Sequence, residues 1–130
     1  MKHEIESFLN ELQKLAGPIG TLKITQTIID KGNPDANKSI IAFAALFGID
    51  FATMEKGGDN GQTLQGKFQC SGANCKIKFY RTKTRGDNRL SISGLKKHAK
   101  AGDIIALKRD LITGAIVINA TKETGANNGK

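Results

Sequence analysis

Six residues between positions 81 and 89 carry side chains able to recognise nucleic-acid bases: Arg81, Lys83, Arg85 and Arg89 as donors, with Asp87 and Asn88 as the strongest acceptors. An arginine pairs with guanine through two parallel hydrogen bonds, an aspartate accepts from the cytosine amino group, and an asparagine can pair with adenine. Such groups work only on a narrow, stiff carrier, and the flanking residues describe one. Cys75, Ile77 and Phe79 alternate with Lys76, Lys78 and Tyr80, so apolar residues share one face of a strand and polar ones the other. Beyond a Gly86-Asp87-Asn88 turn, Leu90 and Ile92 point inward while Arg89, Ser91 and Ser93 point out. The spacing predicts a basic β-hairpin, and a two-stranded ribbon fits the major groove of B-DNA.

The charge is concentrated around this ribbon. The 130-residue chain has a formal net charge of +8, yet positions 67–109 hold twelve Lys or Arg against Asp87 and Asp103, leaving the remainder slightly acidic. A basic half of this kind favours a polyanionic partner, most often nucleic acid. With 38% apolar residues the length supports one domain with one core, not two domains. There is no run of 18 apolar residues, and acids interrupt the N-terminus where a signal peptide would be apolar, so a cytoplasmic chain without a membrane segment is expected.

The elements that must position the ribbon follow in order. Ile5, Phe8, Leu9, Leu12 and Leu15 recur at helical spacing, predicting a leading amphipathic helix over 1–17, packed on the domain and stopped by Gly17 and Pro18. Residues 21–29 alternate apolar and polar with one break at Gln26 and read as a strand. A polar loop fills 30–38, and the Ala-rich stretch 39–51 reads as a short buried helix ending near Gly48. Leu64, Gly66, Phe68 and Cys70 mark the inward face of a strand joined to the Cys75 strand by a loop at 71–74. A helical turn at 94–99, strands at 104–109 and 115–121, and a polar tail over 122–130 complete the chain. The domain therefore spans 1–121, with a barrel over 21–121, mainly β with short helices.

Other chemistry is poorly supported. Cys70 and Cys75 stand five apart, and parity points both thiols inward; a tetrahedral zinc site needs four ligands, and His3 and His98 are the only imidazoles. Asp50, Asp59 and Lys67 fall loosely in the order of a Mg²⁺-dependent nuclease, but position 65 is Gln and Asp59 lies in a Gly-rich turn. Phosphate-loop, dinucleotide and nucleophile motifs are missing. A small basic RNA-binding or general nucleic-acid-binding barrel would share the charge but normally exposes several aromatic rings, and Tyr80 is the one ring expected outside.

The run Thr84-Arg85-Gly86-Asp87-Asn88-Arg89-Leu90-Ser91 resembles the T-R-N-E-x-R-I-T run of the restriction-enzyme branch of the B-three DNA-binding domains, best known as the N-terminal effector domain of EcoRII-type endonucleases. It follows Phe79-Tyr80, matching that family's paired aromatics, and precedes Gly94-Leu95 and Gly102-Asp103-Ile104-Ile105, which resemble its short helix and "GD" turn. The likeness spans about 22–121; Gly86 replaces the family's Asn and Asp87 its Glu, which implies a different recognised sequence.

The resemblance implies a seven-stranded open pseudobarrel gripping double-stranded DNA in the major groove with two arms. The second arm is the basic ribbon; the first maps onto Lys31, Asn33, Asp35, Asn37 and Lys38, in the loop after the first strand. Asn33, Asp35 and Asn37 would join the ribbon in reading bases, while Lys31, Lys38, Lys76, Lys78, Lys96 and Lys97 would contact phosphate, positioning without specifying. No catalytic residue, metal ligand or cofactor is implied for this chain; Mg²⁺ would serve only a nuclease domain following in a longer parent chain.

Overall fold

Thr25 decides how the chain enters the sheet. Its side chain accepts from Ile28 N–H at 3.2 Å and caps a helix, α1 (Gln26–Lys31), which ends on Gly32 in the left-handed region with its N–H on Ile28 O. Strand β1 (Gly20–Lys23) therefore stops short, and the strand expected over 21–29 is corrected to a strand followed by a helix. The computed structural model describes residues 4–9, 11 and 17–122.

The remaining elements follow the expected order. Helix α2 (Lys38–Ala45) is shorter than the predicted 39–51 and buries Ile40, Phe43 and Ala44. A single 3-10 turn (Gly58–Asn60) leads to β2 (Gln62–Phe68), β3 (Asn74–Arg81), β4 (Asn88–Ile92), α3 (Leu95–His98), β5 (Asp103–Arg109) and β6 (Ile116–Lys122). Lys122, expected in the tail, ends β6, and residues 123–130 lie outside the described residues. Of the leading helix, residues 4–9 and 11 are helical; Leu12 and Leu15 lie outside the described residues. Ile5, Phe8 and Leu9 are exposed, so the described part of that helix is not packed as expected.

Among the described residues six strands form one curled, open half-barrel sheet in the order β1-β5-β6-β2-β3-β4. Every neighbouring pair is antiparallel except β2 and β6, which run parallel with Gly66 opposite Ile116. The inward residues Ile77, Phe79, Leu90, Ile105, Leu107 and Ile118 meet Ile24, Ile40 and Phe43 in one core. Each such side chain contributes about 1.5–3 kcal/mol by leaving water. A Cβ on Gly66 would collide with the side chain of Ile77, so the absent side chain lets the core pack directly against β2.

The two free edges of the sheet are spanned by one segment. On one side Ala36 N–H donates to Asn88 O at 2.9 Å and Leu90 N–H to Pro34 O at 3.1 Å, binding residues 34–36 to β4. On the other, Asn37 Nδ2 and Ser39 Oγ donate to Thr21 O, and Thr21 N–H donates to Ser39 Oγ, binding 37–39 to β1. Edge groups that would otherwise template foreign strands are thus satisfied within the chain.

Candidate nucleic-acid interface

The predicted ribbon is formed by β3 and β4, with Lys78 opposite Ser91, Tyr80 opposite Arg89 and Arg81 opposite Asn88. Cys75, Ile77, Phe79, Leu90 and Ile92 are buried, as the alternation required. The turn lies slightly earlier than the Gly86-Asp87-Asn88 reading. Thr82 N–H donates to Asp87 O, Gly86 N–H to Thr82 O, and Asp87 N–H to Thr82 Oγ1, each at 2.9 Å, so Lys83 to Gly86 form the apex and Asn88 opens β4.

Arg81 supports this apex from below. Its Nε donates to Gly86 O at 3.0 Å and its Nη1 to Met54 O at 2.9 Å. Gly86 adopts φ +74°, and a Cβ there would lie 2.6 Å from Arg81 Nη2, so glycine is required both by the backbone and by the guanidinium packed over it. The Arg81 main chain is tied to the segment before β2 as well, its carbonyl O accepting from Gly57 N–H at 2.8 Å. The guanidinium expected to read bases is held by two main-chain carbonyls, whereas Lys83 and Arg85 are exposed at the apex.

Arg89 joins the ribbon to the segment that spans the sheet edges. Its Nη1 donates to Asn33 O at 3.1 Å, and its Nε lies 2.8 Å from Asp35 Oδ1. The Nε contact is one of charge: the N–H does not point at the oxygen well enough for a hydrogen bond. Asp87 Oδ2 stands 3.8 Å from Nη2. The side chain of Asp35 is 78% exposed and that of Asp87 41%, so both carboxylates keep open acceptor positions toward solvent.

First-arm and ribbon residues consequently share one surface. Lys31, Asn33, Asp35, Asn37 and Arg89 line a hollow of about 540 Å³ together with Thr25, Thr27 and Pro34. Within it the roles differ. Asn37 caps α2 by accepting from Ile40 N–H and Ser39 Oγ while donating to Thr21 O, so its amide is committed to the fold. Lys31 ends α1, and Lys38, the first residue of α2, is exposed. Neither sits in a loop as expected.

The other expected phosphate contacts fall into two groups. Lys76 and Lys78 project from the outer face of β3, with Lys78 Nζ 5.6 Å from the centroid of the Tyr80 ring. Lys96 and Lys97 belong to α3 and line a hollow of about 350 Å³ that also includes Lys31. Helix α3 is anchored by His98, whose ring stacks on Phe68 at 4.0 Å.

A third basic hollow was not anticipated. Lys67, Lys108 and Arg109 line it with Asp110 and Val117, because both Lys67 and Lys108 stand opposite Val117 across β6. That neighbourhood depends on the parallel β2–β6 pairing, which no local pattern announces.

The thiols do not share one environment. Cys75 is buried, which pushes its thiol pKa up, but Cys70 is exposed, because β2 ends at Phe68 and the chain turns before Cys70 can continue the strand's parity. Among the described residues no group of three or more His, Cys, Asp or Glu side chains comes together as metal ligands, and no helix is long and apolar enough to cross a membrane. The chain matches no protein-family model, no curated protein and no solved structure.

Proposed function

We propose that this chain is a sequence-specific double-stranded DNA-binding domain, a B-three-like pseudobarrel of the kind that serves as recognition domain in restriction endonucleases. In this reading residues 34–39 take the place of a seventh stave. The observation that carries it is the clamp of Arg89 on Asn33 O and Asp35, which joins the two expected arms into one surface. Lys83 and Arg85 on the apex, with Asp87, Asn33 and Asp35 around Arg89, offer the donors and acceptors that distinguish base pairs in the major groove. Lys31, Lys38, Lys76, Lys78, Lys96 and Lys97 supply charge for phosphate, which fixes register without reading sequence. Arg81, Asn37 and Arg89 act by holding that surface in shape. Any cleavage would belong to a nuclease domain in a longer chain, using Mg²⁺.

The test is selection of bound duplexes from a random pool, with single-stranded DNA and RNA as competitors and with Mg²⁺ present or withheld. A short enriched motif in the duplex pool is the expected result. Equal recovery of all sequences, or preference for RNA, would replace the proposal with a general nucleic-acid-binding barrel; cleavage by this chain alone would make it a nuclease.

A further inference from the structure

Strand β4 is covered along most of its free edge and open at one point. Leu90 N–H turns away from β3 to reach Pro34 O, whereas Ser93 N–H turns toward β3 to reach Lys76 O. Main-chain groups alternate sides along a strand, so the Ile92 N–H points the same way as that of Leu90. The bridge between Asp35 and Arg89, continued antiparallel, would bring Gly32 opposite Ile92. Gly32 is instead spent on α1: it sits at φ 76° and donates its N–H to Ile28 O, and the ladder stops. The Ile92 N–H is left with no hydrogen-bond partner among the described residues, in a residue only 6% exposed. A main-chain donor so placed is costly unless something accepts from it.

Ile92 belongs to the wall of the hollow of about 350 Å³ between α1, β4 and α3. Ile28 and Ile29 of α1 and Leu95 of α3 complete its apolar walls. Its cations are Lys31, Lys96 and Lys97, and the one acid among its lining residues, Asp30, accepts from Gln26 Nε2 at 3.0 Å. Three ammonium groups against one carboxylate, with an open N–H beside them, select an anionic head group. The volume lies at the lower end of the range of small-molecule sites, about 300–1,000 Å³. A bare phosphate, including one on a duplex, would answer the charge and leave the aliphatic walls facing water. An anion that carries an aliphatic body answers both.

We infer that this hollow binds a small organic anion, a carboxylate or phosphate monoester with an aliphatic chain. The head accepts from Ile92 N–H among the three lysines, and the chain lies on Ile28, Ile29 and Leu95. The site stands apart from the duplex-reading function proposed above, although it shares three lysines with it.

The experiment follows the backbone amides of the full chain by NMR at neutral pH during titration with octanoate, acetate, inorganic phosphate, n-octanol and a short duplex. Octanoate should shift the Ile92 amide together with those of α1 and α3, and saturate. Acetate and inorganic phosphate, heads without a chain, should bind roughly tenfold more weakly or less. The alcohol, a chain without a charged head, should leave the Ile92 amide in place. In Lys96→Gln/Lys97→Gln, where both replaced residues are exposed and outside the core, octanoate should bind roughly fivefold more weakly. Acetate binding as tightly as octanoate would reduce the hollow to a cationic patch and overturn the inference. So would n-octanol shifting the same amides equally, octanoate affinity unchanged in the double variant, or octanoate shifting no residue of the hollow. A duplex that shifts the Ile92 amide when octanoate does not would assign the hollow to DNA phosphate instead. Octanoate binding by a chain that binds no duplex would uphold this site and remove the function proposed above.

Discussion

Arg89 Nε lies 2.8 Å from Asp35 Oδ1, tying the outer face of β4 to the segment that spans the open edges of the sheet. The same guanidinium donates to Asn33 O, so it holds that segment at two points. The two partners should not matter equally. Arg89→Ala removes a charged hydrogen bond to a carbonyl and should cost about 1–3 kcal/mol in urea unfolding. Asp35→Ala removes an ion-pair partner that is mostly in solvent and should cost less than about 1 kcal/mol. Equal losses would mean that the carboxylate, not the carbonyl, is what Arg89 secures.

Arg81 and Arg85 lie on the same ribbon with opposite expected behaviour. Arg81→Ala leaves Gly86 O and Met54 O without their donor and should lower stability by about 1–3 kcal/mol. Arg85→Ala alters an exposed apex residue and should leave stability within about 0.5 kcal/mol of wild type. It should instead weaken the preferred duplex by about 1–3 kcal/mol, with less effect on random duplexes. Thermal unfolding beside binding isotherms separates the two.

Gly86→Ala introduces a Cβ at φ +74° and against the Arg81 guanidinium. The backbone term alone is about 1–2 kcal/mol. Unfolding in denaturant should show at least that loss, and Gly72→Ala, where the added Cβ meets open space at a similar φ, should show the smaller one. If the two substitutions cost the same, the guanidinium yields freely and does not shape the apex.

On the proposed function, Lys78→Ala should weaken every duplex by a similar factor and reduce the salt slope by about one unit, because it would remove a phosphate contact and no base contact. The measurement is affinity against salt concentration for the preferred and a scrambled duplex. A sequence-dependent effect would move Lys78 to the base-reading group.

Alkylation of the native chain should modify exposed Cys70 quickly and Cys75 slowly, since burial restricts access to Cys75 and raises its thiol pKa, leaving less thiolate at neutral pH. Raising the pH should speed the reaction at Cys75. The sign for stability follows: the folded chain favours the neutral thiol, so the stability associated with Cys75 is intact below the ordinary thiol range and falls as pH rises through and beyond it. Cys75→Ala should remove that part of the alkaline decline. Chelator treatment should leave fold and binding unchanged; recovery of lost structure by added zinc would show a metal requirement.

Period-two alternation alone determined the ribbon, because residues 75–80 and 89–92 must put Ile77, Phe79, Leu90 and Ile92 on one side and charge on the other. The concentration of charge over 67–109 was likewise complete in the sequence. Alternation misled over 21–29, where Leu22, Ile24 and Ile28 suit a strand, but a Thr25 cap, Lys31 in the last turn and Gly32 after it satisfy helix ends and win locally. That start and stop signal was present and could have been read. Cys70 failed for a related reason: parity holds only while a strand continues, and β2 ends two residues earlier.

Only the tertiary structure decided which charged groups are spent on the fold. Arg81 and Arg85 are alike as residue types four apart on one hairpin, but Arg81 meets two carbonyls from different turns and Arg85 meets solvent. Asn33 and Arg89 are 56 positions apart, and Lys67 comes near Lys108 through a parallel pairing across β6. Local sequence patterns report which side of a strand a residue takes. They carry no record of which distant carbonyl or strand will meet it once the sheet has curled and its edges have been spanned.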